Sequence, residues 1–193
     1  MNDHVDTAAL RIAYDVSGPP DGRPVVAVHG RGARVGYVVG ALFPDRISAL
    51  VAISAGDSTS RPDNAVPYSL PCGPPGHPGW GFADADFEQA AEAWDNPDWA
   101  DITVHAYLHR WGEAPGDPAY QDIEDRLADP PPVRVPTLVL HGEQDGDNRA
   151  GTTEGQEGLF AGPYERVLLP GIGHFPPREA PRATADAIQH LMS

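Results

Sequence analysis

The feature that most constrains the fold is a strand, a helix and a strand in direct succession between residues 25 and 55. The apolar run "VVAV" (25–28) is typical of a strand buried on both faces. The helical pattern "RVGYVVGALFPDRI" (34–47) follows, and "SALVAISA" (48–55) is the next buried strand. The inner face of the helix is expected to carry Val35, Val38, Val39 and Leu42. Two strands joined in this way run parallel with a right-handed crossover, which predicts an α/β fold with a mostly parallel, open sheet.

Further strands are predicted on both sides of this unit. "LRIAYDV" (10–16) alternates like an early strand, while "PTLVLHG" (136–142) and "YERVLLPG" (164–171) are typical of later ones. The tail "APRATADAIQHLM" (180–192) predicts a closing helix. Its inner side is expected to carry Ala183, Ala187, Ile188 and Leu191. We therefore expect one domain, residues 1–193, with about five or six strands and its sites at their carboxyl ends.

Residues 61–132 are predicted to form a short helical lid inserted between two strands. Residues 61–81 are rich in Pro and Gly, which is typical of a loop. Helical patterns follow at 86–94, 97–112 and 118–127. Four tryptophans flank this insert, and we expect them to pack its thin helices together rather than to line a pocket: Trp80, Trp94, Trp99 and Trp111.

Charge and cysteine content argue against several classes of partner. The formal net charge of −15 disfavours nucleic acid, whose phosphates must be met by Lys and Arg, and it disfavours anionic membrane surfaces. The single cysteine, Cys72, leaves no internal disulfide and no Cys-based zinc cluster. The start "MNDHVDTAAL" has no apolar core of a signal peptide. We expect a soluble, acidic, cytoplasmic protein with no nucleic-acid or membrane partner, and the sequence leaves a homodimer open.

Two polar residues follow neighbouring predicted strands. Asp145 ends "LVLHGEQD", and His174 ends "LLPGIGH". A carboxylate and an imidazole on adjacent strand ends can meet, and the carboxylate would then fix the tautomer of the imidazole and stabilise its cation. His174 is therefore predicted to be a general base that activates an alcohol, the ester intermediate of an acid nucleophile, or water.

With these residues the chain resembles the α/β-hydrolase family. The matching segments are "RIAYDVSGPPDGRPVVAVHG", "FPDRISALVAIS", "VPTLVLHGEQD" and "LPGIGHFPPREAP". The text "RGAR" (31–34) is most similar to the epoxide-hydrolase and haloalkane-dehalogenase branch, in which an Asp nucleophile precedes such a tetrapeptide. The resemblance implies a helical lid over an apolar substrate and a catalytic pair made by Asp145 and His174. Neither the resemblance nor the residues imply a cofactor.

The family's nucleophile is missing from this chain. In the family, a G-x-nucleophile-x-G elbow follows a strand. Here Gly30 stands where Ser or Asp should be, between His29 and Arg31. In the family, an "HG" after an early strand builds part of the oxyanion hole, and two further strands precede the elbow. Here "VHG" runs directly into "RGAR", so roughly 70 residues that the family places between them are absent. The turn at His29, Gly30 and Arg31 is predicted either to bind an oxyanion through backbone N–H groups or simply to be a tight turn that needs glycine.

Few residues could replace the nucleophile or hold a metal. Ser58 in "AGDSTS" lies beyond a strand end and is the candidate nucleophile, and Ser54 at the strand tip is a similar one. His105 and His109 share a helix face, but Ala106 stands where a zinc protease needs Glu, so no metal is expected.

Three functions agree with these observations. The first is hydrolysis of a small apolar ester, lactone or epoxide, with His174 activating water directly. The second is a non-hydrolytic isomerase or cyclase of the same fold in a biosynthetic pathway, with His174 as a proton shuttle. The third is a catalytically inactive binding protein or remnant, suggested by Gly30. The Asp145–His174 pair and the family resemblance favour the hydrolase.

Overall fold

The computed structural model describes residues 3–7, 11–14, 21, 31–56 and 84–193. The strands are β1 (Asp3–Asp6), β2 (Arg11–Tyr14), β3 (Leu50–Ile53), β4 (Thr137–Gly142) and β5 (Tyr164–Leu169). The helices are α1 (Arg31–Leu42), α2 (Asp84–Ala91), α3 (Trp99–Arg110), α4 (Gln121–Leu127), α5 (Pro176–Glu179) and α6 (Pro181–Met192). Short 3-10 turns lie at Pro44–Arg46, Glu92–Asp95, Pro118–Tyr120, Ala150–Thr153 and Glu157–Leu159.

Three parallel strands form the centre of the molecule, in the order β3-β4-β5. Leu50 pairs with Thr137, which in turn pairs with Tyr164. All six residues of β4 are buried because strands flank it on both sides and helices cover both faces. The prediction of an α/β fold with a mostly parallel sheet is confirmed. The predicted strand at 25–28 lies outside the described residues, and β1, which pairs antiparallel with β2, was not predicted.

The helix α1 packs on one face of this sheet, and of its predicted inner residues Leu42 is buried whereas the three valines are not. Ala33, Tyr37 and Leu42 are buried, whereas Val35 is 62% exposed. Glycines decide this orientation. A Cβ on Gly36 would lie 2.5 Å from Leu50 Cδ1, and one on Gly40 would lie 3.1 Å from Val133 Cγ1. The face that bears these glycines can approach the sheet most closely, so it turns inward and Val35 turns outward.

The helix α6 covers the opposite face of the sheet. Ala187 and Leu191 pack against the cluster formed by Ile53, Leu138 and Leu140. Val139, between the two leucines, points to the α1 side instead, as strand alternation requires. The predicted closing helix is therefore confirmed. Because both faces of the sheet are covered, the open positions for chemistry lie at the carboxyl ends of β3, β4 and β5.

The helical segment, residues 84–128, has a different character. The predicted helices are present, but residues 94–132 include no buried residue. Trp94, Trp99 and Trp111 are 50%, 40% and 41% exposed. Trp94 and Trp99 contact each other, with ring centroids 5.9 Å apart, so they join two turns of helix at the surface and form no core. Trp94 and Trp99 thus hold neighbouring helical turns together, as expected, but at the surface and not in a core.

Arg126 attaches the helical segment to the end of α1. Arg126 Nη2 donates to the Leu42 carbonyl at 3.2 Å, and the guanidinium lies 5.3 Å from the centre of the Phe43 ring. The end of α4 is thus attached to the end of α1. The lid itself stays a prediction, since residues 61–83 and Trp80 lie outside the described residues. In the part of the chain that the structure describes, no helix is long and apolar enough to cross a membrane.

Candidate active site

Asp145 and His174 meet at the carboxyl edge of the sheet. β4 ends at Gly142 and β5 ends at Leu169, so the loops that follow these strands are neighbours. Asp145 Oδ2 lies 2.8 Å from His174 Nδ1, and both residues are buried. The contact that the sequence predicted from strand order is therefore present, although 29 positions separate the two residues.

Gly142 allows the two loops to come this close. A Cβ at this position would overlap the backbone carbonyl oxygen of Gly173 and would lie 2.5 Å from that of Ile172. The loops are also tied by a hydrogen bond of 2.9 Å from the Gln144 backbone N–H to the Ile172 carbonyl. Any side chain at Gly142 would push the His174 loop away from Asp145.

The carboxylate of Asp145 is fully engaged. Oδ1 accepts the backbone N–H groups of Asp147 at 2.9 Å and Asn148 at 2.8 Å. Oδ2 lies 3.1 Å from His141 Nε2 in addition to its contact with His174. Burial on its own raises the pKa of Asp145, but hydrogen bonds from His141 and His174, the charge of His174 and the Asn148 N–H lower it from 3.8 to about 2. Asp145 is therefore ionised at neutral pH.

The loop that carries His174 is held by Glu179 at the end of the short helix α5. Glu179 in α5 accepts the backbone N–H groups of Gly173 at 2.9 Å and Phe175 at 2.8 Å, one on each side of the histidine. These two bonds hold the backbone on both sides of His174 in place and thereby help to fix the direction of its imidazole. With Nδ1–H donated to Asp145, the neutral ring presents the lone pair of Nε2 away from the sheet.

A second carboxylate lies at the other nitrogen of the same ring. Asp147 Oδ2 is 3.4 Å from His174 Nε2, and the Asp147 side chain is 46% exposed. Burial disfavours the imidazolium, but the hydrogen bond and charge of Asp145, together with the charges of Asp147 and Glu179, raise the pKa of His174 above its usual range. The imidazolium is thus stabilised at both of its N–H groups.

Ser54 connects the end of β3 to the same place. Its φ of 52° lies in the left-handed region that non-glycine residues rarely adopt. In this conformation Oγ donates to the backbone carbonyl of His174 at 2.9 Å, and the Ser54 carbonyl accepts from Asn148 Nδ2 at 2.9 Å. Ser54 therefore links three strand ends. Its hydroxyl hydrogen is used in this link, which disfavours the sequence hypothesis that Ser54 is a nucleophile.

Other predicted site residues are not brought to this edge by the described structure. His29, Gly30 and Ser58 lie outside the described residues, and Arg31 is seen only as the first residue of α1. His105 and His109 stack on each other on α3, with ring centroids 6.3 Å apart. The residues with described positions contain no group of three or more His, Cys, Asp or Glu that could hold a metal ion.

Sequence reasoning missed two residues of the site, His141 and Asp147. A signal for His141 was available, since it is the one ionisable residue in the apolar run "TLVLHG" and precedes Asp145 by four positions. Asp147 has no comparable signal, because nothing in the spacing of the acidic residues of "GEQDGDN" shows that a second one, besides Asp145, reaches His174.

No protein-family model and no curated protein matches the chain. Solved structures do match. A proposed epoxide hydrolase from Klebsiella pneumoniae subsp. pneumoniae MGH 78578 is 32% identical over 83% of this chain and 63% of its own, with a TM-score of 0.71. A serine hydrolase involved in carbazole degradation is 21% identical over 85% of this chain and 61% of its own, with a TM-score of 0.56.

A further solved structure, described as a lipase from Acinetobacter baumannii AYE, is 17% identical over 85% of this chain, with a TM-score of 0.57. The chain covers 58% of that protein. It therefore spans about three fifths of the length of each of these three proteins. The likeness to the serine hydrolase and to the lipase concerns the fold alone.

Proposed function

We propose that this chain, which has a shortened α/β-hydrolase fold, hydrolyses a small apolar ester, lactone or epoxide with His174 as its general base. The observation that carries the proposal is the buried 2.8 Å contact between His174 Nδ1 and Asp145 Oδ2 at the carboxyl edge of a parallel sheet. The 32% identity to a proposed epoxide hydrolase supports an epoxide among the three substrate classes.

The chemistry follows from the state of the ring. Neutral His174 donates its Nδ1 hydrogen to Asp145 and takes a proton on Nε2 from a water molecule. In an ester or lactone the water oxygen bonds to the carbonyl carbon, and the tetrahedral oxyanion that forms collapses with cleavage of the C–O bond to the leaving oxygen. In an epoxide the water oxygen bonds to a ring carbon, and the ring C–O bond breaks in the same step. The imidazolium, stabilised by ionised Asp145, returns the proton to the leaving oxygen. One water molecule is consumed for each C–O bond that is cleaved.

Water is proposed as the attacking group because the chain has no side chain at Gly30 and because the Ser54 hydroxyl is hydrogen-bonded to the His174 backbone. Hydrolases that lose a triad member retain roughly 10³–10⁴-fold acceleration over water from the oxyanion hole and substrate binding. We therefore expect slow turnover. The oxyanion would be held at His29, Gly30 and Arg31, an assignment that stays a proposal.

The test is hydrolysis of a panel of activated esters, lactones and epoxides by the purified chain and by His174→Ala. A general base contributes about 10²–10⁴-fold, so turnover should fall by that factor in the variant. His190→Ala is the matched control, because His190 is an exposed histidine whose ring contacts Glu165 on the surface. It should hydrolyse the panel as the wild type does.

Two results would contradict the proposal. Equal turnover in the wild type and His174→Ala would show that hydrolysis does not use this base. A complete lack of turnover on all three substrate classes would leave the hydrolase likeness as a matter of fold, and the isomerase or cyclase and the inactive binding protein would become the hypotheses to test.

A further inference from the structure

A second histidine lies behind the proposed catalytic pair. His141, the residue before the last in the central strand β4, is fully buried. Its Nε2 lies 3.1 Å from Asp145 Oδ2, the same oxygen that receives His174 Nδ1. It also lies 2.6 Å from the Asn148 backbone carbonyl. One carboxylate oxygen is thus contacted by two imidazoles, of which only His174 reaches toward the surface.

The partners of His141 fix which ring nitrogen carries hydrogen. Both groups near Nε2, a carboxylate and a carbonyl, are acceptors, so Nε2 bears a hydrogen and donates it. The opposite nitrogen, Nδ1, lies 3.4 Å from Thr153 Oγ1. The Nε2 hydrogen is therefore shared between the Asn148 carbonyl and Asp145 Oδ2, whichever way the Thr153 hydroxyl turns.

The far side of the ring is also held in place. Thr153 Oγ1 accepts from Arg166 Nε at 2.8 Å and lies 2.9 Å from the Ala150 carbonyl. Arg166 Nη2 donates to that same carbonyl at 2.7 Å. A buried polar chain therefore runs from Arg166 on β5 through Thr153 and His141 to Asp145. Such a chain is stable only if its members are satisfied together, and it restricts the ring of His141 to one orientation.

We propose that His141 is a positioning residue of the site: its Nε2–H holds Asp145 Oδ2 where it receives His174 Nδ1–H, and it divides the charge of that oxygen between two rings. The effect on turnover rests on the proposed function, whereas the effect on the state of His174 does not. His141 touches no reacting atom, so it acts only through Asp145.

The expected direction follows from the charges around the site. Asp145, Asp147 and Glu179 all favour protonated His174, and Arg166 lies beyond Thr153. Of these groups, Asp145 is the one that His141 contacts. Without the His141 donor, the full charge of Oδ2 acts on His174, and the imidazolium becomes more stable. His174 should then lose its proton at higher pH.

The experiment compares two amides at position 141 in the full chain. Gln places its side-chain nitrogen near the position of Nε2, so His141→Gln retains a donor to Asp145. Asn is shorter and places its nitrogen near the position of Nδ1, so His141→Asn does not. The titration of His174, followed by NMR on ring-labelled protein, should resemble the wild type in His141→Gln and move to higher pH in His141→Asn.

Activity provides the second readout. The pH at which turnover begins should rise in His141→Asn and should be restored in His141→Gln. Turnover itself should fall by about 10–100-fold in His141→Asn, if His141 acts on the scale of the hydrogen-bond partners that orient metal-ligating histidines. Thr184→Val is the control, since Thr184 is also buried and loses one hydrogen bond to the carbonyl of Ala180, the residue that precedes α6. It should lower the melting temperature and leave the titration of His174 unchanged.

Several outcomes would overturn the proposal. A His174 titration that is unchanged in His141→Asn, or that moves as far in His141→Gln, would reduce His141 to a structural residue. So would a hydrogen on Nδ1 and none on Nε2 in the NMR spectrum of the wild type, a test that requires no variant to fold. The titration needs no substrate. If the wild type turns nothing over but the His174 titration still moves to higher pH in His141→Asn, the proposed function is contradicted and the role of His141 stands.

Discussion

The loops that follow β4 and β5 differ from the helical segment in the kind of residue that each region buries. At the strand ends, His141 and Thr153 are fully buried polar residues. In the helical segment, Val104 is 57% exposed and Trp94 is 50% exposed. The first region hides polar groups, whereas the second exposes apolar ones.

The difference shows where the chain concentrates its stability. Buried polar groups are tolerated when they are hydrogen-bonded, and those at the strand ends contact one another through Arg166, Thr153, His141 and Asp145. The exposed apolar side chains of α3 gain little from folding, because burial supplies the hydrophobic free energy. We therefore expect substitutions to be costly at the strand ends and nearly neutral in the helical segment.

The largest effect is expected at Asp145. In Asp145→Asn one of the two acceptor oxygens becomes an NH2 group, so either the backbone N–H groups or the two imidazoles lose their acceptor. With the NH2 group toward the rings His174 adopts the wrong tautomer, and in either orientation its cation loses its charged partner. Turnover should fall by about 10³–10⁴-fold. Asp186→Asn, an exposed aspartate on α6, is the control and should keep wild-type kcat/KM. If both variants retained full activity, the buried pair would have no catalytic role.

A matched pair of leucines tests the contrast in stability directly. Leu138 in β4 is 1% exposed, and Leu108 in α3 is 42% exposed. Leu138→Ala should lower the free energy of unfolding by about 2–5 kcal/mol. Leu108→Ala should change it by less than about 0.5 kcal/mol. Urea unfolding measures both. A loss at Leu108 as large as that at Leu138 would mean that α3 is covered in solution by another surface.

A pair of glycines tests how tightly the loops approach. Gly142→Ala places a methyl group against the carbonyls of Gly173 and Ile172, so it should lower stability by about 1–3 kcal/mol and displace His174 from Asp145. A Cβ at Gly151 meets nothing within 4 Å, and Gly151→Ala should be close to neutral. Thermal unfolding and the turnover of both variants check this. Equal melting temperatures would show that the loop can move aside freely.

The smallest expected effect concerns Asp147. Its carboxylate stabilises protonated His174, so Asp147→Asn should lower the pKa of His174. A base works only when it is unprotonated, and the acid limb of kcat/KM should therefore move to lower pH. Glu165→Gln removes a surface carboxylate that contacts His190 instead, and it should leave the profile in place. A profile that moves upward in Asp147→Asn would contradict the geometry of this site.

The sequence alone determined the parallel sheet and the pair at its edge. β3, β4 and β5 were predicted from apolar runs, and the predicted Asp145 and His174 follow two of those strands. Such predictions succeed because the burial of β3 and β4 leaves a local signature, and because the ends of parallel strands meet at one edge whatever the loops do. The likeness to a solved structure with the same fold agrees with the predicted parallel sheet.

Only the tertiary structure decided which residues complete the site and which way α1 faces. Ser54 donates to the backbone of His174 across 120 positions, and His141 reaches Thr153 and Asp145 through loops that close on Gly142. Val35 was predicted to face inward and is exposed, because glycine permits a closer helix approach than valine does. The periodicity of apolar residues in the sequence indicates how much apolar surface a helix or strand carries. Hydrogen-bond partners and closest approaches depend instead on how separate elements pack, so no local pattern contains them.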